Sequence, residues 1–296
     1  MTGAGTAEIS KEKAPFTAVL FDTFQREDQS MTSDVIRVKT GSCEMDYFKF
    51  GEGDKVMVIL PGLSVVSVMG SKGTIADAYA PMANDFTIYV MDRRADMPDP
   101  YTVYDMAEDT AAVFEALGLS NIYLFGASQG GMIAMTIAIS HPELIAKLAL
   151  GSTSASVHTE DLNSFPTWVD LAEKRDAAAL YQAFAKALYP EETYKAYKDV
   201  FNMMASTVSE EDLRRFVIQA KGTEGFDVLD RLDEIRCPVL LLGANDDAVL
   251  KPEASEAIIE KLSGREDFEY FMYDGYGHAA FDTAPDYKDR LLKFFL

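Results

Sequence analysis

Residues 121–138 read NIYLFGASQGGMIAMTIA, and the rest of the chain is organised around this stretch. It begins with a continuous apolar run at 122–125, which is typical of a parallel strand covered on both faces. Apolar residues between 132 and 139 then recur at the spacing of a buried helix. Between the two, residues 126–130 form a G-x-S-x-G motif with Ser128 at its centre. A serine at such a strand-to-helix turn is a candidate nucleophile, because the turn exposes its hydroxyl at the end of the strand.

Strands and helices alternate through most of the chain, which predicts an α/β fold with a mostly parallel sheet flanked by helices. The eight predicted strands lie at residues 35–40, 43–50, 55–60, 86–91, 122–125, 147–150, 238–242 and 268–273. The first two are expected to pair antiparallel at an edge of the sheet, because polar and apolar residues alternate in them and Gly-containing turns bound them.

Two segments depart from this alternation. Residues 152–225 contain helical patterns but no good strand, so we expect a helical insertion between the sixth and seventh strands, with the core formed by 35–151 and 226–296. Most apolar and aromatic side chains of the insertion are expected to form its own small core, and about a third of them to cover a pocket. The set is Phe165, Trp168, Tyr181, Phe184, Tyr189, Phe201, Met203 and Met204. Residues 1–34 are mostly polar and are expected to form an N-terminal arm that packs on the domain or on a neighbouring subunit.

Composition excludes several classes of partner. The chain of 296 residues has 27 basic and 48 acidic side chains and a net charge of -21, which disfavours binding to nucleic acid or to anionic membranes. Its two cysteines, Cys43 and Cys237, are far apart and lack metal-type spacing, so neither a disulfide framework nor a zinc site is expected. Without a signal-peptide pattern or an apolar run long enough to span a bilayer, the chain is expected to be cytoplasmic.

A serine nucleophile needs a base, and the chain offers three histidines. His278 follows the last strand, and in a parallel sheet the carboxyl ends of the strands share one edge, so His278 is expected beside Ser128. His141 and His158 are expected to be structural or solvated. The acid that orients His278 should follow the seventh strand, where Asp246 is our first choice and Asp247 the alternative.

An oxyanion that forms beside Ser128 also needs hydrogen-bond donors. The backbone amide of Gln129 directly follows the serine and is the first candidate. The second is the amide of Leu63, behind Pro61 and Gly62 in the loop after the third strand.

Together these motifs resemble the α/β-hydrolase superfamily over residues 35–296. The resemblance rests on the elbow at 126–131, the His-Pro-Glu of 141–143, the Gly-Ala-Asn-Asp of 243–246, the Gly-His of 277–278 and the chain order of serine, acid and histidine. It implies a Ser-His-acid triad, no cofactor and a helical lid in the position of the insertion. The family's glycine-containing loop after the fourth strand reads Asp-Arg-Arg-Ala-Asp-Met-Pro here (92–98), so a different pocket shape is expected.

The expected activity is hydrolysis of a small to medium, largely apolar ester, with Ser128, Asp246 and His278 as the triad and Leu63 and Gln129 as the oxyanion hole. Aminopeptidase, amidase, lactonase and carbon–carbon bond hydrolase activities remain open on the same triad. A slow-turnover ligand sensor and a scaffolding protein assembled through the N-terminal arm are the alternatives from other classes. The expected partner is a small-molecule substrate, with homo-oligomerisation left open.

Overall fold

A computed structural model describes residues 32–158 and 164–296. Eight strands form one sheet in the order β1-β2-β4-β3-β5-β6-β7-β8. Their bounds are β1 Ile36–Lys39, β2 Glu44–Phe50, β3 Lys55–Leu60, β4 Phe86–Arg94, β5 Ile122–Ala127, β6 Ile145–Gly151, β7 Val239–Ala244 and β8 Phe268–Tyr273. The eight-stranded, mostly parallel sheet predicted from the sequence is therefore confirmed, with β4, β5 and β6 longer than expected.

The direction of the strands brings the chemistry-bearing loops to one edge. β1 pairs antiparallel with β2, as the turn pattern at this edge predicts, and β2 also pairs antiparallel with β4. Every other pairing in the sheet is parallel. The carboxyl ends of β3, β5, β7 and β8 consequently lie at the same edge, which is where ligands bind in open parallel sheets.

Helices cover both faces of the sheet. The α-helices of the core are α1 Lys72–Tyr79, α2 Val103–Ala116, α3 Gln129–Ser140, α8 Pro252–Leu262, α9 Ala280–Thr283 and α10 Tyr287–Phe295, and those of the helical insertion are α4 Phe165–Glu173, α5 Ala177–Leu188, α6 Glu191–Ala205 and α7 Glu210–Lys221. Alternate residues of a strand serve the two faces: in β7, Val239 and Leu241 pack into the cluster with α2, α3 and α8, whereas Leu240 and Leu242 pack into the cluster with α1 and α10. Each such buried side chain contributes roughly 1.5–3 kcal/mol, so β7 is held from both sides.

Between β6 and β7, the described residues form four α-helices, α4–α7. α7 begins with a capping box, in which Ser209 accepts from the amide of Asp212 and Asp212 accepts from the amide of Ser209. Aromatic rings join the helices internally, since the centroid of Trp168 lies 4.9 Å from that of Phe165 and 4.8 Å from that of Phe184.

The predicted N-terminal arm lies outside the described residues up to position 31. At its end, Thr32 bridges to Phe50 of β2. In the described part of the chain, no helix combines the length and apolar character needed to cross a bilayer.

Candidate active site

Ser128 lies in the sharp turn between β5 and α3, as the motif predicts. Its backbone has φ 53° and ψ −122°, a conformation that a residue with a side chain seldom adopts. Neighbouring hydrogen bonds hold the turn in place: the amide of Ser128 donates to the carbonyl of Gly151 (2.8 Å), and the hydroxyl of Thr153 donates to the carbonyl of Ser128 (2.7 Å). A strained backbone conformation of this kind persists only where surrounding contacts hold it in place, and it is frequent at functional sites.

The glycines of the motif are required because the chain approaches itself closely. A Cβ atom on Gly126 would lie 2.3 Å from the carbonyl oxygen of Gly130, and one on Gly130 would lie 2.0 Å from the carbonyl oxygen of Leu60. A Cβ atom on Gly62 would lie 3.1 Å from the Cβ of Ser128. The loop after β3 therefore packs directly against the serine.

The structure brings His278 together with Asp247. Nδ1 of His278 lies 2.8 Å from Oδ2 of Asp247, and both side chains are buried. Asp247 is further held at Oδ1 by the amides of Val249 (2.8 Å) and Leu250 (3.1 Å).

The choice of Asp246 as the partner of His278 is therefore wrong, and the alternative, Asp247, takes that place. Asp246 is exposed, and its two oxygens accept from the amides of Gly275 (3.2 Å) and Gly277 (3.0 Å). Its side chain braces the loop that carries His278, whereas the next residue points inward to the ring.

The pKa of Asp247 lies below its ordinary value. Burial alone would raise this pKa, but His278 and the two backbone amides stabilise the charged form and outweigh burial. Asp247 is thus a carboxylate at neutral pH, and a carboxylate only accepts hydrogen bonds. The ring nitrogen that faces it, Nδ1 of His278, must then carry a proton.

The other two histidines lie elsewhere. Nε2 of His141 is 3.3 Å from Glu108, and Nε2 of His158 is 3.1 Å from the hydroxyl of Ser156. Neither lines the cavity described next. Among the residues that the structure describes, no group of three or more His, Cys, Asp or Glu side chains is placed to hold a metal ion.

Ser128 and His278 line one cavity of about 250 Å³, called the main cavity below. They are not hydrogen-bonded to each other; such contacts often shorten only when substrate is bound. Most of the lining is apolar, and it comes mainly from β3 and the loop after it, from α1 and β5, and from the insertion. The insertion contributes the side chains of Phe165, Trp168, Phe184, Leu188 and Met204.

Of the two predicted oxyanion donors, Leu63 lines this cavity, and Gln129 directly follows Ser128, which also lines it. Gln129 is the first residue of α3, and Leu63 lies in the loop that packs on Ser128. Within the described ranges 32–158 and 164–296, neither backbone amide donates a hydrogen bond to the protein. Both are available to a developing negative charge, and the N-terminal end of α3 adds its dipole at the same place.

A buried arginine, which belongs to none of the sequence motifs of the predicted site, connects these two donor segments. Nη2 of Arg93 donates to the carbonyl of Pro61 (2.7 Å) and approaches Oε1 of Gln129 (3.4 Å). The amide group of Gln129 in turn donates to the carbonyl of Gln219 and to the hydroxyl of Thr223, both at 2.8 Å. Burial lowers the pKa of Arg93 to about 10, against the opposing effect of Asp92. Arg93 thus ties the loop after β3, the elbow helix and the insertion to one another.

A second cavity, of about 150 Å³, adjoins the first. The two share six lining residues, which are Ser64, Val68, Ser71, Phe184, Leu188 and Met204. Tyr181, Tyr189 and Phe201 line the second cavity, whereas Met203 is 41% exposed. Most of the aromatic and apolar side chains listed for the insertion therefore face one of the two cavities.

Known proteins are similar to this chain in sequence and in structure. A sequence profile described as the alpha/beta hydrolase fold matches residues 55–285. A Rhizobium rhizogenes protein named "Putative carbamate hydrolase RutD" is 27% identical over 252 residues, which cover 81% of this chain and 92% of the relative.

Two solved structures have the same fold. MGS-M2, an alpha/beta hydrolase enzyme from a Medee basin deep-sea metagenome library, gives a TM-score of 0.77 at 19% identity, over 88% of this chain and 97% of its own. The enol-lactonase from Burkholderia xenovorans LB400 gives a TM-score of 0.74 at 17% identity, over 88% of this chain and 99% of its own.

Proposed function

The chain belongs to the alpha/beta hydrolase fold family, and from this premise we propose that it is a serine hydrolase acting on a carboxylic ester with a small to medium, largely apolar scaffold. The observation that carries the proposal is the strained Ser128 in one apolar cavity with His278, whose Nδ1 is held by Asp247.

In the proposed first half-reaction, Oγ of Ser128 attacks the ester carbonyl carbon and its proton moves to Nε2 of His278. Because Asp247 keeps the ring proton on Nδ1, the lone pair of Nε2 is available for this transfer. The amides of Leu63 and Gln129 hold the oxyanion of the tetrahedral intermediate. The intermediate then expels the alcohol, which takes the proton from Nε2, and an acyl-enzyme remains.

In the second half-reaction, water attacks the acyl carbonyl and gives its proton to Nε2. Collapse of the second tetrahedral intermediate releases the carboxylic acid and returns the proton to Ser128. No other group is required for the proton balance. The apolar lining supports an uncharged, largely apolar substrate, because burying charge in such a cavity without a partner is costly.

The test is a chain-length series of p-nitrophenyl esters, assayed with the wild type and with Ser128→Ala. We expect multiple turnovers of at least one short or medium ester by the wild type, and a loss of at least 10³-fold in Ser128→Ala, consistent with loss of an activated nucleophile. Turnover that survives in Ser128→Ala would overturn the proposal. A single stoichiometric burst without further turnover would instead favour the slow sensor.

A second candidate, hydrolysis of a carbamate, is favoured by the 27% identity to the relative named for that activity. The same serine would attack the carbamate carbonyl and form a carbamoyl-enzyme. Steady-state turnover of a p-nitrophenyl carbamate, at a kcat/KM above that of the best ester in the series, would favour this candidate over ester hydrolysis.

A further inference from the structure

The main cavity contains one carboxyl group that the proposed mechanism does not use. Among the described residues that line this cavity, Asp282 is the only Asp or Glu, and none is Lys or Arg. Asp282 lies in the short helix α9, four residues after His278, so it is next to the proposed site of reaction. A carboxyl group in an apolar cavity is costly unless it has a partner.

One oxygen of Asp282 has a partner within the protein. The hydroxyl of Tyr189, at the end of α5, donates to Oδ2 of Asp282 (3.0 Å). Within residues 32–158 and 164–296, no group donates a hydrogen bond to Oδ1. Since Asp282 is partly accessible although it lies deep in the protein, and since it lines the cavity, its accessible part faces the substrate space.

The surroundings leave the charge of Asp282 incompletely compensated. Burial raises the pKa of Asp282, and Lys288, Tyr189 and His278 oppose that effect without reversing it. Nζ of Lys288 donates to the carbonyl of Phe281 and attracts Asp282 electrostatically. A neutral acceptor, such as an asparagine, could also bind Tyr189 without the cost of a buried charge. The bond to Tyr189 therefore does not by itself require a carboxyl group, and the attraction to Lys288 does not supply a hydrogen-bond donor to Oδ1 among the described residues.

We propose that Asp282 is a specificity-determining residue whose Oδ1 accepts a hydrogen bond from an uncharged O–H or N–H group on the substrate. The inference rests on the proposed hydrolase function and names its substrate class: an ester with an apolar scaffold that carries one hydroxyl or amide group near the reacting carbonyl. An ammonium group is disfavoured, because Lys288 already places positive charge beside Asp282 and would repel a second cation.

The experiment compares matched esters. The p-nitrophenyl esters of butanoic, 2-hydroxybutanoic, 3-hydroxybutanoic and 3-aminobutanoic acid are assayed with the wild type, Asp282→Asn and Asp282→Leu. The readout is the ratio of kcat/KM for each substituted ester to kcat/KM for butanoate, measured within the same protein, so that general losses of activity cancel. Thermal melts verify that each variant is folded. If Asp282→Leu does not fold, Asp282→Asn still tests the proposal, because asparagine has nearly the same shape and still accepts a hydrogen bond from Tyr189.

For the wild type we expect one hydroxybutanoate to be preferred over butanoate by roughly 10- to 100-fold, the range of a hydrogen bond to a charged group. The ratio should fall in Asp282→Asn and approach 1 in Asp282→Leu. A ratio near 1 in the wild type, or a high ratio that survives in Asp282→Leu, would overturn the proposal. A preference for the amino ester that Asp282→Leu abolishes would overturn the choice of an uncharged donor.

A second readout tests the role of Asp282 even if the protein is not a hydrolase. If the wild type cleaves none of these esters in a Ser128-dependent manner, binding replaces turnover as the readout. Isothermal titration of Ser128→Ala with ethyl 3-hydroxybutanoate, ethyl 2-hydroxybutanoate and ethyl butanoate then tests Asp282 alone. Equal Kd values for the three esters, or a difference that Asp282→Leu leaves unchanged in that background, would refute the assignment.

Discussion

Replacing Asp247 by asparagine should abolish most activity while leaving the loop around it intact. The amides of Val249 and Leu250 both donate to Oδ1 of Asp247, and His278 meets Oδ2. In Asp247→Asn the amide oxygen keeps the two backbone donors, so the NH₂ group takes the position of Oδ2 and donates to Nδ1. The proton of the ring must then sit on Nε2, which can no longer act as a base.

The loss of activity in Asp247→Asn follows from the wrong tautomer of His278. An Asp-to-Asn exchange of this kind lowers kcat by about 10⁴ in a Ser-His-Asp hydrolase, or about 5.4 kcal/mol at 1.36 kcal/mol for each factor of ten. The matched control is Asp246→Asn, one residue away. It weakens a bond to one backbone amide of the loop that carries His278, and we expect a loss of less than about tenfold.

The assay is kcat/KM on the best p-nitrophenyl ester, with thermal melts of all three proteins. Because the pKa of Asp247 is lowered in the folded protein, its charged form stabilises the fold above the ordinary pKa of about 4, and this contribution is lost as the pH falls through the lowered folded value. The stability gap between wild type and Asp247→Asn should therefore narrow in acid. Activity of Asp247→Asn within tenfold of wild type, or a larger loss in Asp246→Asn, would refute this assignment.

Three further predictions concern the surroundings of the serine. Arg93→Met should lower kcat by about tenfold or more with a smaller change in KM, because it frees the carbonyl of Pro61 and with it the oxyanion loop; equal kcat values in steady-state assays would contradict this. Gly130→Ala should lower the free energy of unfolding in urea by about 3 kcal/mol or more, since its Cβ would lie 2.0 Å from a carbonyl oxygen of β3; an unchanged urea midpoint would show that the elbow can relax. Ala185→Leu fills the second cavity and should reduce cleavage of octanoate relative to acetate esters; an unaltered ratio would separate that cavity from the substrate path.

The sequence was sufficient to place Ser128 and His278 at one edge of the sheet. A serine between two motif glycines and a histidine after the last strand are positioned by strand direction, and strand direction follows from the alternation of strands and helices. Asp246 and Asp247 are different, because both follow the same strand and either could serve as the acid. Which of the two turns inward depends on the path of the loop beyond β7, and no local pattern encodes that path.

The roles of Arg93 and Asp282 depend on contacts between distant segments. In the sequence, Arg93 stands out only because the loop after β4 differs from the family's glycine-containing pattern. Its hydrogen bond to the carbonyl of Pro61 joins the end of β4 to the loop after β3 and depends on the folded sheet. Asp282 follows His278 by four residues, after the Ala-Ala-Phe of 279–281, and nothing in that spacing indicates that it faces an apolar cavity. Such roles emerge only when the insertion is folded over the sheet edge, as the bond from Tyr189 to Asp282 illustrates.

Whether Ser128 is the nucleophile is tested most directly by covalent capture. Wild type, Ser128→Ala and His278→Ala are treated with a fluorophosphonate, and the adducts are located by intact-mass and peptide-mapping mass spectrometry. We expect one adduct per wild-type chain, on Ser128, with none on Ser128→Ala and strongly slowed labelling of His278→Ala. A wild-type chain that stays unlabelled, or an adduct on another residue, would contradict this expectation.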